Sequence, residues 1–430
     1  MSTNRARVLA IGLGATAALI AAQAIGIGAT ATATSSAAAT STQFMATVQK
    51  ELPAYLQPTT DPAFGTAFTR ITKPGDLGAG VVCREAYCSH RYSSAQAWNA
   101  DQSMLVLANG CNGMCFLDGK TYKPLFRRSR STECEWHPED SERMICVGGQ
   151  SIFTWAPRTN QEEFLFVSTD HDQFEFGPNK GNPSRDGHRV AVRAVRKGGD
   201  QVVFAFDLAT RTKFPDIELA QLPGTNSACT ISPLGVHILC LQHTEGDIDQ
   251  SFVFDVDGTL LQRWTEHHRP GHGDLTVDSD GSEIYVGVSK SDPDKYQIIK
   301  RRLSDGVVTP LMRYGEAQHL SLRSIRRPGW VIVSYGGDPA EVSQNRSWAP
   351  FAREIIALRL DGSGEVRRIA QTHNVPADYW SETHASPSPD ASQIIWSSNW
   401  DNPGGPVLEF VSRLDWPSEM GAIPSGDSAK

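Results

Sequence analysis

The chain has 430 residues, of which 40% are hydrophobic and 20% are charged, and its formal net charge is −8. This composition excludes disordered, collagen-like and multi-span membrane proteins. With a sequence pI of about 5.9, the chain has no general basic field for a phosphate backbone, so we expect no binding to nucleic acid.

Residues 1–34 have the pattern of a secretory signal peptide. Arg5 and Arg7 precede the apolar run VLAIGLGATAALIAAQAIGIGA, which ends in the small residues ATATA. The apolar run is also long enough for an uncleaved membrane anchor, which is the alternative. In both cases the rest of the chain is exported. We therefore predict a secreted or periplasmic protein with no membrane contact once the signal is removed.

Three further segments follow the signal. Residues 35–63 are predicted to be an N-terminal extension, and their stretch QFMATVQKELPAYL has the apolar spacing of a short helix outside the main fold. The main domain is predicted to span residues 64–417, and residues 418–430 form a polar C-terminal tail.

A strand, a short turn and a second strand recur seven times in the main domain. The turns are rich in Pro, Asp and Gly: Asn99-Ala-Asp-Gln, His137-Pro-Glu-Asp, Ser184-Arg-Asp-Gly, Ser232-Pro-Leu-Gly, Asp278-Ser-Asp-Gly, Arg326-Arg-Pro-Gly and Ser388-Pro-Asp-Ala. They lie roughly 40 to 60 residues apart, a period typical of repeat folds. Third and fourth strands follow most hairpins. The sequence therefore predicts an all-β fold, one seven-bladed β-propeller of four-stranded antiparallel blades.

The last of these units lacks its fourth strand. The segment AFTRITKP, residues 67–74, resembles the fourth strands of the other units. We predict that it completes the last blade and closes the ring, which removes exposed sheet edges that invite association. We accordingly expect a monomer.

The chain has eight cysteines, which agrees with an oxidising compartment. Two pairs flank hairpin turns and would link neighbouring strands: Cys134 with Cys146, and Cys229 with Cys240. The simplest remaining pairs are close in sequence: Cys83 with Cys88, and Cys111 with Cys115. Those four cysteines allow three connectivities, and a zinc site is the other alternative for them.

Histidines precede or begin the first strands of three successive blades. His272 enters the fifth blade, His319 the sixth and His384 the seventh. First strands line the channel of a propeller, so we expect these side chains to converge at one rim. They could bind a divalent metal of unknown identity with Glu382 or Asp274, or act as general base or acid. The alternative is that they line the channel in hydrogen bonds to carboxylates, without a ligand.

Other polar and aromatic residues lie on the approaches to the same rim. The predicted catalytic residues are spread over three blade entries and one long loop: His90, Tyr92, His272, Arg353, Tyr379 and His384. The predicted substrate-binding residues are Asp274, Arg323 and Trp380. An arginine fork matches a carboxylate, and an indole suits stacking on a sugar. The alternatives are that Tyr92 and the tryptophans belong to the core and that the arginines are solvated.

Four stretches of this chain resemble the propeller polysaccharide lyases of the ulvan-lyase and oligogalacturonate-lyase types: HRYSSAQAWNADQSMLVL, GHGDLTVDSDGSEIYVG, HLSLRSIRRPGWVIVS and YWSETHASPSPDASQIIWSSNW. The resemblance implies β-elimination on uronate polysaccharides, with histidine, tyrosine, arginine and in some enzymes a channel metal. By this resemblance His384 matches a metal ligand of the oligogalacturonate type, whereas Tyr379 and Glu382 depart from the rest of that pattern. His90 and Tyr92 resemble the pre-blade histidine region of the ulvan type.

Three functions are compatible with these features. The first is a secreted lyase that cleaves an anionic, uronate-containing polysaccharide or oligosaccharide. The second is a non-catalytic propeller that binds ligands or serves as a scaffold, because no high-specificity catalytic motif is present. The third is a propeller hydrolase with a carboxylate pair, which would add water where a lyase does not.

Overall fold

The computed structural model describes residues 38–130, 132–176, 182–244, 246, 248–266, 271–313, 315–338 and 343–416. The predicted signal peptide, 1–34, and the predicted tail, 418–430, lie outside these ranges. In the described part of the chain, no helix is both long enough and apolar enough to cross a membrane.

Seven antiparallel sheets are arranged in a ring and form the predicted β-propeller. Four short strands come before the first blade: β1 (Pro58–Thr60), β2 (Ala67–Arg70), β3 (Gly75–Gly78) and β4 (Val81–Cys83). The first blade contains β5 (Met104–Leu107), β6 (Met114–Asp118) and β7 (Pro124–Arg128). The segment before β5 contributes isolated bridges to this blade, one of them between Trp98 and Leu105.

The next three blades contain most of the middle of the chain. The second contains β8 (Glu133–Trp136), β9 (Met144–Gly148), β10 (Ser151–Ala156) and β11 (Gln161–Val167). The third contains β12 (His171–Glu175), β13 (Arg189–Arg196), β14 (Gln201–Asp207), β15 (Thr212–Lys213) and β16 (Ile217–Glu218), followed by a 3-10 helix at Leu219–Gln221. The fourth contains β17 (Thr225–Ile231), β18 (His237–His243), β19 (Asp249–Asp255) and β20 (Leu260–Glu266).

The last three blades carry the candidate histidines. The fifth contains β21 (Gly271–Val277), β22 (Glu283–Val288), β23 (Gln297–Arg302) and β24 (Val308–Arg313). The sixth contains β25 (Ala317–Ser321), β26 (Trp330–Tyr335), β27 (Glu354–Arg359) and β28 (Val366–Gln371). After a 3-10 helix at Tyr379–Ser381, the seventh contains β29 (Ser386–Pro387), β30 (Gln393–Ser398) and β31 (Leu408–Arg413).

Each predicted turn lies between the first and second strand of a blade. In the fifth blade the amide of Gly281 donates to the carbonyl of Asp278 at 3.0 Å. Gly281 has φ +84°, a left-handed conformation that glycine adopts without a steric cost. The turn residues therefore set the hairpin, and the alternating apolar residues on either side place one sheet face against the next blade.

The ring closes through β2, as predicted. This strand pairs antiparallel with β31, and Phe68 lies opposite Ser412. β1 pairs with the other edge of β2, so the closing blade has five strands, in the order β1-β2-β31-β30-β29. Phe68 is 2% exposed and packs near Trp396, Trp400 and Phe410.

The predicted helix in QFMATVQKELPAYL is wrong. The segment has no helical turn in the structure, because side chains of the last blades hold its backbone in an irregular conformation. Gln371 donates to the carbonyl of Ala46 at 3.0 Å and accepts from the amide of Val48 at 2.8 Å. Trp400 donates to the carbonyl of Lys50 at 3.0 Å. These long-range bonds override the local helical preference.

Four disulfides connect all eight cysteines in the predicted pairs: Cys83–Cys88, Cys111–Cys115, Cys134–Cys146 and Cys229–Cys240. The last two join directly paired residues of adjacent strands. The disulfides Cys83–Cys88 and Cys111–Cys115 exclude the zinc site considered for these four cysteines, because no thiolate is left to bind a metal. Four disulfides are typical of proteins in an extracellular or periplasmic compartment.

Candidate active site

The three predicted histidines converge at one mouth of the channel. The ring centroids of His319 and His384 are 4.0 Å apart, and those of His272 and His319 are 4.8 Å apart. His272 and His319 belong to the first strands of their blades, and His384 comes just before β29. The three blade entries are therefore equivalent, as predicted, and they bring the three histidine rings into direct contact.

Local backbone irregularities aim these rings into the channel. The pairing of β21 with β22 shifts register between Gly271 and Asp274, and that of β25 with β26 shifts between Ala317 and His319. Such bulges re-aim side chains next to functional sites. His272 has φ 53° and His384 has φ 48°, a left-handed conformation that is uncommon for residues other than glycine.

Two tyrosines complete the ring cluster. The hydroxyl of Tyr92 lies 2.6 Å from that of Tyr379 and 3.2 Å from Nδ1 of His319. Burial raises the pKa of both phenols, and the mutual hydrogen bond raises that of Tyr92 further. Both side chains are therefore neutral proton donors at neutral pH. Tyr92 is buried, whereas Tyr379 is 39% exposed and faces incoming solvent.

A second contact of His319 involves Glu382. Nε2 of His319 lies 2.5 Å from Oε2 of Glu382. His319, Glu382 and His384 each offer one ligand atom, and these atoms all lie within 4.8 Å of one another. Glu382, rather than the predicted His272, thus accompanies the other two histidines in this group. His272 instead places its Nδ1 3.3 Å from Nδ1 of His319.

The donor atoms of this group suit a divalent metal. Nε2 of His384 donates to the carbonyl of Tyr379 at 3.0 Å, which leaves a lone pair on Nδ1. That Nδ1 is buried and has no hydrogen-bond partner. Burial, with the neighbouring His319, lowers the pKa of His384 to about 2, so its imidazole is neutral. Burial raises the pKa of Glu382, although His384 and His272 act against that shift. Two imidazoles and a carboxylate are a ligand set common to zinc, manganese and iron sites.

His90 lies directly behind this cluster, outside the channel surface. Its Nδ1 is 2.9 Å from Oε2 of Glu409, and its Nε2 donates to the carbonyl of His384 at 2.7 Å. Burial lowers the pKa of His90, but the charge and hydrogen bond of Glu409 outweigh it, so the net shift is upward. The side chains of His90 and Glu409 are 1% and 0% exposed. His90 therefore fixes the backbone of His384 and is not itself open to a substrate.

The remaining predicted residues occupy three different places. Arg323 makes a two-pronged ion pair with Asp274, at 2.8 and 2.7 Å, so the two engage each other in the buried channel wall. Arg353 pairs with Asp401 and donates to the carbonyl of Asn374 at 3.0 Å, behind the loop before β29. Trp380 is 61% exposed beside Tyr379. The catalytic and substrate-binding roles predicted for these residues stay predictions.

The residue that the sequence did not reveal is Glu409. It is a glutamate in the buried run LEFVSR of β31, fully buried, and it also accepts a hydrogen bond from the hydroxyl of Ser397. An acidic residue inside an otherwise apolar strand is the signal that could have marked it, because buried carboxylates require a partner. The sequence could not name His90 as that partner.

No protein-family model matches the chain, and no curated protein matches it. Among solved structures it is similar to an oligogalacturonate lyase in complex with manganese, with a TM-score of 0.58, 16% identity, and coverage of 84% of this chain and 96% of that one. It is also similar to an oligogalacturonate lyase from Vibrio parahaemolyticus, with a TM-score of 0.52, 10% identity and the same coverage of 84% and 96%. At these identities the likeness shows the fold alone. The resemblance to the ulvan type stays a prediction.

Proposed function

We propose that this protein is an exported polysaccharide lyase that cleaves a uronate-containing chain by β-elimination at the histidine–tyrosine cluster. The observation that carries the proposal is the convergence of His272, His319 and His384 with Tyr92 and Tyr379 at one channel mouth. The fold of the two oligogalacturonate lyases supports the choice of substrate class.

The reaction needs three groups. A base removes the proton beside the uronate carboxylate, the bond from the neighbouring carbon to the glycosidic oxygen breaks, and a double bond forms between the two carbons. An acid protonates the departing oxygen, and no water is consumed. Because the removed proton is weakly acidic, charge on the carboxylate must be neutralised as negative charge develops.

We assign a divalent metal to His319, Glu382 and His384. The buried, unpartnered Nδ1 of His384 is the strongest indication, since an orphaned acceptor in a buried site carries a desolvation cost. When bound there, the metal would supply the positive charge that neutralises the substrate carboxylate. Glu382 and Nε2 of His319 contact each other, and both atoms would be available as ligands to the ion.

The side chains that face the channel carry the proton transfers. His272 is half-buried at the rim, and an imidazole can accept a proton at neutral pH, so we assign it as the base. Tyr379 is a neutral phenol that is open to solvent, and we assign it as the acid for the departing oxygen. Tyr92 bonds to Tyr379 and contacts His319, and His319 contacts His272. The proton that His272 takes from the substrate can therefore pass through His319 and Tyr92 back to Tyr379, which restores both the base and the acid.

His90, Arg353, Asp274 and Arg323 then serve as supports. His90 holds the left-handed backbone of His384 through a charge-assisted bond network.

Arg353 supports Asn374, whose side chain donates to the carbonyl of Ser381 at 2.8 Å, next to Glu382. Asp274 lies two residues further along the strand than His272, where its buried pair with Arg323 stiffens the channel wall. Trp380 keeps its proposed role as a sugar-stacking residue.

A panel of polymers tests the proposal. Purified protein is incubated with polygalacturonate, alginate, ulvan and an uncharged glucan, with and without Mn²⁺, and the ultraviolet absorbance of unsaturated products is followed. We expect absorbance to rise with at least one uronate polymer and not with the glucan. Binding of a uronate polymer without any product would instead favour the non-catalytic propeller.

A further inference from the structure

A cluster of aromatic rings and cations lies between the fifth and sixth blades, away from the histidines. We call Phe44, Tyr296 and Trp348, with the cations on them, the aromatic patch. The rings of Tyr296 and Trp348 meet edge to face with centroids 5.8 Å apart. Phe44, from the N-terminal extension, and Trp348 pack against the same small buried cluster.

Each ring of the patch carries one basic side chain. Lys295 lies 5.1 Å from the centroid of Tyr296, Arg313 lies 4.9 Å from that of Trp348, and Arg346 lies 5.1 Å from that of Phe44. All three cations are exposed. Within the described residues, none of the three has an ion pair. Although the protein has a net charge of −8, these three cations add positive charge at one place on its surface, which favours the binding of anions.

Strand register places the patch on the same face as the active site. Gly271 pairs with Val288, so the loop after β22 that carries Lys295 and Tyr296 lies at the edge where His272 enters. Ala317 likewise pairs with Tyr335, so the loop after β26, which carries Trp348, lies at the edge where His319 enters.

One hydrogen bond ties the patch to the catalytic strand. The indole N–H of Trp348 donates to Oε1 of Glu316 at 2.9 Å. Glu316 is three residues before His319, which is at most about 10 Å of chain. The Glu316 carboxylate is therefore occupied by the indole, and the patch is tied to the strand that carries His319.

We propose that the aromatic patch is a distal subsite for an anionic polysaccharide, which binds sugar units several residues away from the bond that is cleaved. Tyr296 is 52% exposed and offers aromatic surface to a pyranose, while Arg313, Lys295 and Arg346 offer charge-assisted bonds to uronate carboxylates. The inference rests on the proposed function and deepens it, because a distal subsite makes a long polymer, and not a short oligosaccharide, the preferred substrate.

Polymer binding and cleavage by the double variant Tyr296→Ala/Arg313→Ala test this subsite. The matched control is Lys197→Ala, which removes an exposed cation from the corresponding loop of the third blade, between β13 and β14. Binding is measured by affinity electrophoresis in gels containing polygalacturonate, alginate or an uncharged glucan. Cleavage is measured with the anionic polymer that retards the wild type and with a trisaccharide made from the same uronate.

We expect the double variant to bind the anionic polymer that retards the wild type about tenfold more weakly. KM for that polymer should rise similarly, with the trisaccharide and the Lys197→Ala control unchanged. Equal retardation of variant and wild type, or an equal loss on trisaccharide and polymer, would overturn the subsite. If the wild type binds the polymer more tightly than the double variant but neither protein cleaves it, the subsite would be retained and the lyase function rejected. A wild type that no anionic polymer retards would reject the subsite even if the trisaccharide is cleaved.

Discussion

The hydroxyl oxygens of Tyr92 and Tyr379 lie 2.6 Å apart although the residues are separated by 287 positions in the chain. Tyr92 comes from the segment before the first blade, and Tyr379 comes from the 3-10 helix before the seventh blade. Closure of the ring therefore brings the two residues together. This pair connects the buried His319 to the solvent-facing rim and is the centre of the proposed proton path.

Replacing the outer member of the pair tests that path. Tyr379→Phe keeps the ring and removes the hydroxyl, so we expect kcat to fall about 10²- to 10⁴-fold with little change in stability. The control is Tyr122→Phe, which removes a buried hydroxyl that donates to Gln393 at 2.8 Å in another part of the ring. The measurement is kcat on a uronate polymer that the wild type cleaves. A kcat of Tyr379→Phe equal to that of the wild type would show that Tyr379 is not the acid.

The metal assignment predicts a gain in thermal stability with Mn²⁺. A ligand that binds only the native state at a concentration of 100 Kd adds about 2.7 kcal/mol to the free energy of unfolding. We expect Tm to rise in the wild type and to stay constant in His384→Ala and in Glu382→Gln. His243→Ala is the control, because His243 is a histidine of the fourth blade that pairs with Asp249 at 2.7 Å. An equal Tm shift in all four proteins would place the metal elsewhere.

Ring closure predicts a large effect at Phe68. Phe68→Ala leaves a cavity among Trp396, Trp400 and Phe410, and should lower the free energy of unfolding by about 3–5 kcal/mol in urea titrations. Phe164 is 51% exposed, so Phe164→Ala should change stability by only about 0.5 kcal/mol. Similar effects of the two substitutions would mean that β2 does not fasten the ring.

A charge network in the third blade predicts a pH-dependent stability. Burial raises the pKa of Asp216, but hydrogen bonds from Lys213 and Arg196 lower it below 3.8 overall. A depressed native pKa stabilises the fold above the unfolded value, and this stabilisation is lost as pH falls through the native pKa. Asp216→Asn should therefore cost about 2 kcal/mol at pH 7.

The difference between Asp216→Asn and the wild type should shrink as the pH drops below 3.8. Urea titrations at several pH values measure it. The exposed Asp257, at the tip of a turn in the fourth blade, provides the control variant Asp257→Asn, which should match the wild type throughout. A constant difference between Asp216→Asn and the wild type at all pH values would contradict the charge assignment.

The blade plan was predictable because it depends on local signals. Each turn from Asn99 to Ser388 sets its own hairpin, and β-branched and aromatic strands follow at a regular spacing, so the number of blades and the closing strand follow from the sequence. The extension at residues 43–56 was mispredicted because its conformation depends on Gln371 and Trp400, more than 300 residues away.

The site was predictable only in outline. Equivalent positions in successive blades bring His272, His319 and His384 together, since the propeller repeats its geometry. The sequence could not choose Glu382 over His272 as the third member of the metal group, because bulges in two strands decide where each ring points. Nor could it pair His90 with Glu409, because 319 residues separate them and only the closed ring brings them into contact.

The proposed β-elimination is tested most directly by the mass of the products released from a uronate polymer that the protein cleaves. Mass spectrometry distinguishes elimination from hydrolysis because elimination adds no water. We expect one unsaturated end for each bond cleaved, formed only in the presence of a divalent metal and lost in Tyr379→Phe. Products heavier by one water for each bond broken would contradict the lyase and point to a hydrolase on the same fold.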